Sequence, residues 1–563
     1  MTTGRNILEN ASRRPLLWLY LICFVAWLPG FFTLPPLDRD ESRFAQASKQ
    51  MIETGDYVDI RFSDGPRYKK PAGIHWLQAL STMAFGNEER NQIWTYRLPS
   101  LLGAFAAVGL AFWAARAFAG REAAFLGALL LGLTLLLSAE SKISKTDAVL
   151  IATVLASQGV LMRAYLSARD AARAAPTLGL ALAGWTAFAI GVLLKGPIIL
   201  AVCAVTIVAI SLWDRDWKWF ARVRPGPGVL LMLAIVLPWG IAIAIESQGL
   251  FYEKSLGEDF AKKLVSGQET HGAPPGYYLA LVSFSLWPAT LIFLPGIASA
   301  IPRRSDPALR YLLAWAGACW LMFEAVPTKL PHYILPAYPP LVFLGALWLM
   351  RARDAVEARW ERIARHVSLA LFLIVGLAFA AFIAIAPEYW GSGSPWFLYV
   401  GGAIAAIAAV AAGLAMVRGD RVMAGLLAAA TALVLYPFAG EGTAPRVERI
   451  WISPRAADAV AHYRLPGDPP AILAGYVEPS LVFLLGTDTR LTTGDKAADL
   501  ALETGGLALI EKRHEVMFME RLFALRASAE PLEVIDGFNY SRGRDATLTL
   551  YRVRPAATRS QEP

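Results

Sequence analysis

The feature that most constrains this chain is a succession of long apolar runs between residues 16 and 440. A helix needs roughly 17–25 apolar residues to cross a bilayer, and in lipid it must satisfy its own backbone. About thirteen such runs are legible by length, at 16–34, 98–118, 123–139, 147–166, 177–194, 197–213, 228–246, 277–301, 309–325, 331–350, 366–387, 396–417 and 422–440. They predict an all-α polytopic membrane body over residues 1–440. Composition agrees: 56% of residues are hydrophobic and 17% charged, against about 25% charged in soluble chains. The first run has no small-residue cleavage site, so it reads as a retained helix rather than a signal peptide.

Residues 441–563 hold no run long enough to span. They read as a small α/β domain, with strands at Ala471–Ala474, Leu507–Ile510 and Ala546–Val553 and a helix at Glu515–Arg526. No catalytic constellation is visible there.

Arginines sort the loops. They fall in alternate connections: Arg13 and Arg14; Arg116 and Arg121; Arg163, Arg169 and Arg173; Arg215, Arg222 and Arg224 with Lys218; Arg303, Arg304 and Arg310; Arg351 to Arg365; Arg418 and Arg421. The positive-inside rule assigns these loops and the N-terminus to the cytoplasm. An odd number of spans then leaves 441–563 on the outer, non-cytoplasmic side. The net charge of +8 is distributed in this way, which gives no reason to expect a nucleic-acid partner. The three cysteines, Cys23, Cys203 and Cys319, lie inside apolar runs, so neither a disulfide nor a cysteine metal site is expected.

The outer loops carry ionisable residues that the charge bias does not explain: Lys142, Lys145, Asp147, Lys195, Glu324, Lys329 and His332. Such groups at a membrane face are functional candidates, although a lysine there also snorkels without function. The long first loop, 35–97, contains two short amphipathic segments, Glu41–Thr54 and Ala72–Phe85, expected to lie along the interface and wall a cavity. Asp40 and Glu41 open the first of them. They read either as a reacting pair of carboxylates or as an ordinary acidic helix start.

Three outer helices begin with a lysine just ahead of a proline: Lys70-Pro71, Lys195-Gly196-Pro197 and Lys329-Leu330-Pro331. Proline suits the first helical turn. The free N–H groups and dipole of that turn attract anions, and lysine adds a point charge suited to phosphate. The same pattern also marks plain helix entry at an interface. Tyr333 follows the third lysine, Asp147 opens another outer helix, and His271 sits in the long loop before the run at 277.

Taken in order, these motifs resemble the GT-C membrane glycosyltransferases, in the protein mannosyltransferase-like branch, and within it the bacterial lipid A aminoarabinose transferases. The resemblance covers about residues 10–440 and implies a periplasmic C-terminal domain. It implies that Asp40 is the catalytic aspartate with Glu41 beside it. Lys70, Lys195, Lys329 and Tyr333 would contact the donor phosphate, with Asp147 and His271 in support. It also implies the partners: a polyprenyl-phosphate-linked sugar, membrane lipids, and a lipid or glycan acceptor such as lipid A. No cofactor is required, and a divalent metal is left open. Where the aminoarabinose transferases have Glu-Lys-Pro, this chain has Lys69-Lys70-Pro71, and an ammonium cannot ligate a cation. The expected reaction is inverting transfer of a sugar from polyprenyl phosphate. The rival reading is a flippase or transporter of lipid-linked sugars, which would place its ionisable groups near the bilayer midplane.

Overall fold

The computed structural model describes residues 3–261, 273–352 and 356–554. Among them, nine helices are long and apolar enough to cross a membrane. They are Ile93–Ala115, Asp147–Arg169, Leu178–Lys195, Pro197–Asp214, Pro225–Glu246, Pro331–Leu349, Arg359–Trp390, Trp396–Val417 and Arg421–Arg446. Each falls on an expected run.

The other four runs are also helical but not as single long apolar helices. The first is helical only over Pro15–Trp27. The run at 123–139 is two helices, Arg121–Gly132 and Leu135–Glu140. At that break the Leu135 N–H leaves the helical ladder and donates to the Trp287 carbonyl at 2.7 Å. The run at 277–301 is a pair, Tyr277–Ser285 and Ala289–Arg303, bent by 115°. Pro307–Ala325 is one helix but includes Arg310 and Glu324.

Local chemistry sets the helix boundaries. Thr177, Asp306 and Asp420 accept hydrogen bonds from first-turn N–H groups, and Pro197, Pro225 and Pro307 occupy first-turn positions. Inside the bundle, large aromatics are buried with their polar tips satisfied. The Trp27 Nε1–H donates to Ser138 Oγ at 3.1 Å, and Trp348 Nε1–H to Glu361 Oε1 at 2.7 Å. Outside, Leu230, Ile245, Ile374 and Ile407 are each at least 65% exposed. A belt of that kind is a liability in water and natural against lipid.

The two ends of the bundle differ. Arg169 pairs with Asp214 at 2.8 Å, Arg310 also pairs with Asp214, and Arg351 pairs with Glu361 at 2.6 Å. Asp147 opens the helix that ends at Arg169, and Lys195 lies just before Pro197, which opens the helix that ends at Asp214. The charge-bearing candidates of the sequence therefore share the end away from the arginine loops.

That end is roofed by the first loop and the C-terminal residues. The helix Asp40–Thr54 is not the surface helix its pattern suggested. Nearly every residue from Glu41 to Met51 is buried, because the C-terminal helix Pro479–Leu485 packs along it. Helix Gly73–Phe85 keeps the expected half-exposed character, with Leu77, Leu80, Met83 and Phe85 outward. Between them lies a two-residue hairpin pairing, β1 (Arg61–Phe62) with β2 (Gly65–Pro66).

Residues 452–553 form a five-stranded sheet: β3 (Ile472–Ala474), β4 (Arg490–Thr492), β5 (Gly506–Glu511), β6 (Ala529–Asn539) and β7 (Arg544–Val553), in the order β4-β3-β5-β7-β6. β3 is parallel to β4 and β5, and β7 is antiparallel to β5 and β6. Alternate residues face opposite layers. Leu473 and Leu509 meet the helix Ile452–Tyr463, whereas Ile472, Ala474, Ala508 and Ile510 meet Phe518 and Leu522 of the helix Lys512–Ala524. β6 was not foreseen. Its Glu530, Pro531 and Glu533 mask the strand pattern, as an edge strand's residues do.

Candidate active site

A cavity of about 300 Å³ opens where the first loop meets the bundle. Five of the expected residues line it: Asp40, Lys70, Asp147, Lys195 and Tyr333. They arrive from five separate places. Asp40 opens the helix Asp40–Thr54, Lys70 precedes Gly73–Phe85, Asp147 and Lys195 end two spans, and Tyr333 lies in the 3₁₀ turn Pro331–Ala337.

Lys195 Nζ lies 2.5 Å from Asp147 Oδ1, and both are buried. The same ammonium stands 5.1 Å from the centre of the Tyr333 ring, within cation–π range. Lys145 reaches Glu140 at 3.1 Å and His332 Nδ1 at 3.4 Å. Burial disfavours the charge on Asp40, but Lys145, His332, Arg67 and Arg43 outweigh it and hold the carboxyl below the usual range. Asp40 is therefore an anion at neutral pH, in a wall of cations. Burial pulls the Lys145 ammonium down, but Glu140, Asp147 and Asp40 more than restore it, so it titrates above the usual lysine range.

Glu41 is a correction. It does not line the cavity. Its carboxylate takes Arg97 Nε at 2.8 Å and Nη2 at 2.9 Å, with both side chains 1% exposed. It also accepts the Leu37 and Ser144 N–H groups. All its lone pairs are engaged, so it serves as a strut joining the first loop, the span Ile93–Ala115 and the loop at 141–146. Lys329 is a second correction. Its ammonium donates to the carbonyls of Glu324 at 3.0 Å and Val326 at 2.6 Å, closing the C-terminus of Pro307–Ala325. His271 lies outside the described residues.

Several lining residues were not foreseen as site residues. Arg43 is one turn beyond Asp40, and that i+3 spacing was the available signal. Arg67 stacks over Phe44 at 4.6 Å, and Lys145 and His332 stood out only as charged groups of the outer loops.

A second cavity of about 400 Å³ adjoins the first. Its walls are apolar, with Leu193, Ile198, Leu200, Trp239, Phe251 and Phe323. The two cavities share Lys69, Lys70, Lys195 and Tyr333. An apolar chamber thus meets a charged one at a line of lysines. Among the described residues, no three His, Cys, Asp or Glu side chains gather to hold a metal. Lys69 stands in the wall that the two cavities share.

Residues 69–241 match the model of the dolichyl-phosphate-mannose-protein mannosyltransferase family. The chain aligns with the crystal structure of ArnT from Cupriavidus metallidurans bound to undecaprenyl phosphate, over 95% of this chain and 97% of that one, at a TM-score of 0.74 and 20% identity. The chain therefore has an ArnT-like fold. Curated relatives align in sequence with part of the chain. They are undecaprenyl phosphate-α-4-amino-4-deoxy-L-arabinose arabinosyl transferases. The Pectobacterium carotovorum protein is 26% identical over 65% of this chain and 64% of its own length. That of Edwardsiella ictaluri is 27% identical over 67% and 66%, and that of Aeromonas hydrophila 28% over 64% and 65%. The aligned part is just under two thirds of each relative.

Proposed function

We propose that this chain is an inverting glycosyltransferase that moves a sugar from a polyprenyl phosphate to an acceptor at the outer face of a bacterial inner membrane. The observation that carries this reading is the shared wall. A prenyl tail suits the apolar cavity, and a sugar and acceptor suit the charged one, so the phosphate falls between Lys70, Lys195 and Tyr333. The names of the curated relatives, which specify undecaprenyl phosphate as the sugar carrier, support the same donor class.

In the proposed step, an acceptor oxygen attacks the anomeric carbon from the face opposite the phosphate. The bond to the carrier oxygen breaks, and polyprenyl phosphate leaves with both electrons. Lys70 and Lys195 balance the charge that grows on that leaving group. Asp40, held ionised by its neighbours, takes the proton of a hydroxyl acceptor. With a phosphate acceptor, which has none to give up, it orients the attack. Lipid A, another envelope glycan and protein all remain acceptors of suitable chemistry.

The reading includes about thirteen crossings by run length, a membrane body over 1–440, and a periplasmic α/β domain over 441–563. The arginine bias of alternate loops supports that orientation. A flippase is disfavoured because the charged residues sit at one end of the bundle rather than at mid-depth.

The test is complementation of a deletion strain, with mass spectrometry of lipid A and envelope glycans. Wild type restores the missing sugar. Asp40→Asn and Lys70→Ala are each expected to lower transfer by about 10²-fold or more while remaining folded in the membrane. Wild-type transfer by both variants would sink the assignment.

A further inference from the structure

The C-terminal α/β unit carries no reacting groups, yet three of its elements converge on a single residue of the first loop, Asp38. Ser480, in the first turn of Pro479–Leu485, donates its hydroxyl to Asp38 Oδ1. Ser453, in Ile452–Tyr463, reaches the same oxygen at 3.5 Å and lies 2.7 Å from Ser480 Oγ. Tyr540, just after β6, accepts the Asp38 backbone N–H at 2.7 Å. Both serines are buried.

The residue that follows is unusual. Arg39 has φ 62° and ψ −109°, a conformation that L side chains rarely adopt and that costs about 1–3 kcal/mol. Such a conformation persists only where its surroundings hold it. On one side, Glu41 Oε2 accepts the Leu37 N–H at 2.8 Å and Ser42 Oγ donates to the Leu37 carbonyl at 2.5 Å. On the other side, the only elements holding Asp38 by hydrogen bonds among the described residues are those of the α/β unit. The next residue in sequence is Asp40.

The α/β unit is also fixed to the helix Asp40–Thr54 and to the span Ile93–Ala115. Phe483 is fully buried against Tyr96, with ring centres 5.4 Å apart. Gln46 Nε2 donates to Thr487 Oγ1 at 2.7 Å, and Thr487 donates to Glu53 at 2.7 Å. Of these contacts, Asp38 is the one that also lines the cavity.

We propose that Asp38 is a positioning residue, the latch through which the C-terminal α/β unit holds the strained Arg39 turn and so aims the Asp40 carboxylate into the cavity. This rests on the reading of Asp40 as the reacting carboxylate. The latch needs an acceptor oxygen at Oδ1 and not a charge. Asparagine supplies that oxygen and alanine does not.

The test uses full-length protein in membranes of the deletion strain, with transfer read by mass spectrometry of envelope glycans. Binding of undecaprenyl phosphate to purified protein is followed by thermal shift. Asp38→Ala is expected to lower transfer at least tenfold while undecaprenyl phosphate still stabilises the protein as in wild type. Asp38→Asn recovers most of the transfer, which a charged role would not predict. Ser480→Ala, which removes one hydroxyl, lowers transfer several-fold and carries the test if Asp38→Ala fails to assemble. Undiminished transfer in the alanine variants, with Asp40→Asn inactive, overturns the latch and spares the site. An active Asp40→Asn overturns the site reading itself.

Discussion

Adjacent residues need not share a fate, and Asp40 and Glu41 divide the work of the first loop between them. Successive helical side chains diverge by about 100°, so the first turn aims one carboxylate into the cavity and the other at Arg97. Removing one partner of a buried ion pair strands the other, at a cost of about 3–5 kcal/mol. Glu41→Ala is therefore expected to lower the thermal midpoint of the purified protein sharply and to reduce its yield. Asp40→Asn leaves the midpoint near that of wild type. Equal stability of the two variants would mean that Glu41 is no strut. The sequence placed both acids at the helix start but could not separate their roles, because Arg97 lies 56 residues further on in the chain. Lys329 was misread for a related reason. The Lys-x-Pro pattern records a helix start but not the direction of the lysine, and here the nearby carbonyls of Glu324 and Val326 hold the ammonium.

At the scale of elements, what matters is how two lysines from different helices come to one wall. Helix Gly73–Phe85 meets the C-terminal end of Leu178–Lys195 with almost no clearance. A Cβ at Gly73 would lie 2.6 Å from the Leu193 carbonyl oxygen and 2.9 Å from its carbon. These are backbone atoms and cannot swing aside, so Gly73→Ala must move one helix, at about 1–3 kcal/mol of overpacking. The shift separates Lys70 from Lys195. Gly73→Ala is expected to insert and accumulate in membranes, to lose most transfer, and to bind undecaprenyl phosphate more weakly in a thermal-shift assay. Normal transfer would show that the two lysines tolerate separation. Apolar periodicity located both helices within a few residues, yet this contact was invisible to it, since glycine contributes nothing to a hydropathy run. The break after Gly132 is hidden as well, because only a carbonyl from elsewhere, Trp287, captures the Leu135 N–H, whereas Pro288 marks the bend after Ser285 in the sequence itself.

Across the whole molecule, the arginine bias was the most informative signal, because it is a property of many loops at once and survives errors in any one boundary. What it could not reveal is the meeting of Asp38 with Ser480, 442 residues apart, since nothing in either local sequence refers to the other. The orientation it implies is open to a direct measurement that the native cysteines do not obstruct. Cys23, Cys203 and Cys319 are at most 3% exposed, so each is shielded from a polar maleimide. Ser528 and Ser305 are exposed. The first lies in the α/β unit and the second among the arginine loops, on opposite sides of the proposed membrane body. In intact spheroplasts, Ser528→Cys is expected to react with a membrane-impermeant maleimide, and Ser305→Cys only after lysis. The reverse pattern would place the charged cavity in the cytoplasm, on the side that the positive-inside rule assigns to the arginines. A single geometry must satisfy both labels, because Asp147 and Arg169 are the two ends of one continuous helix.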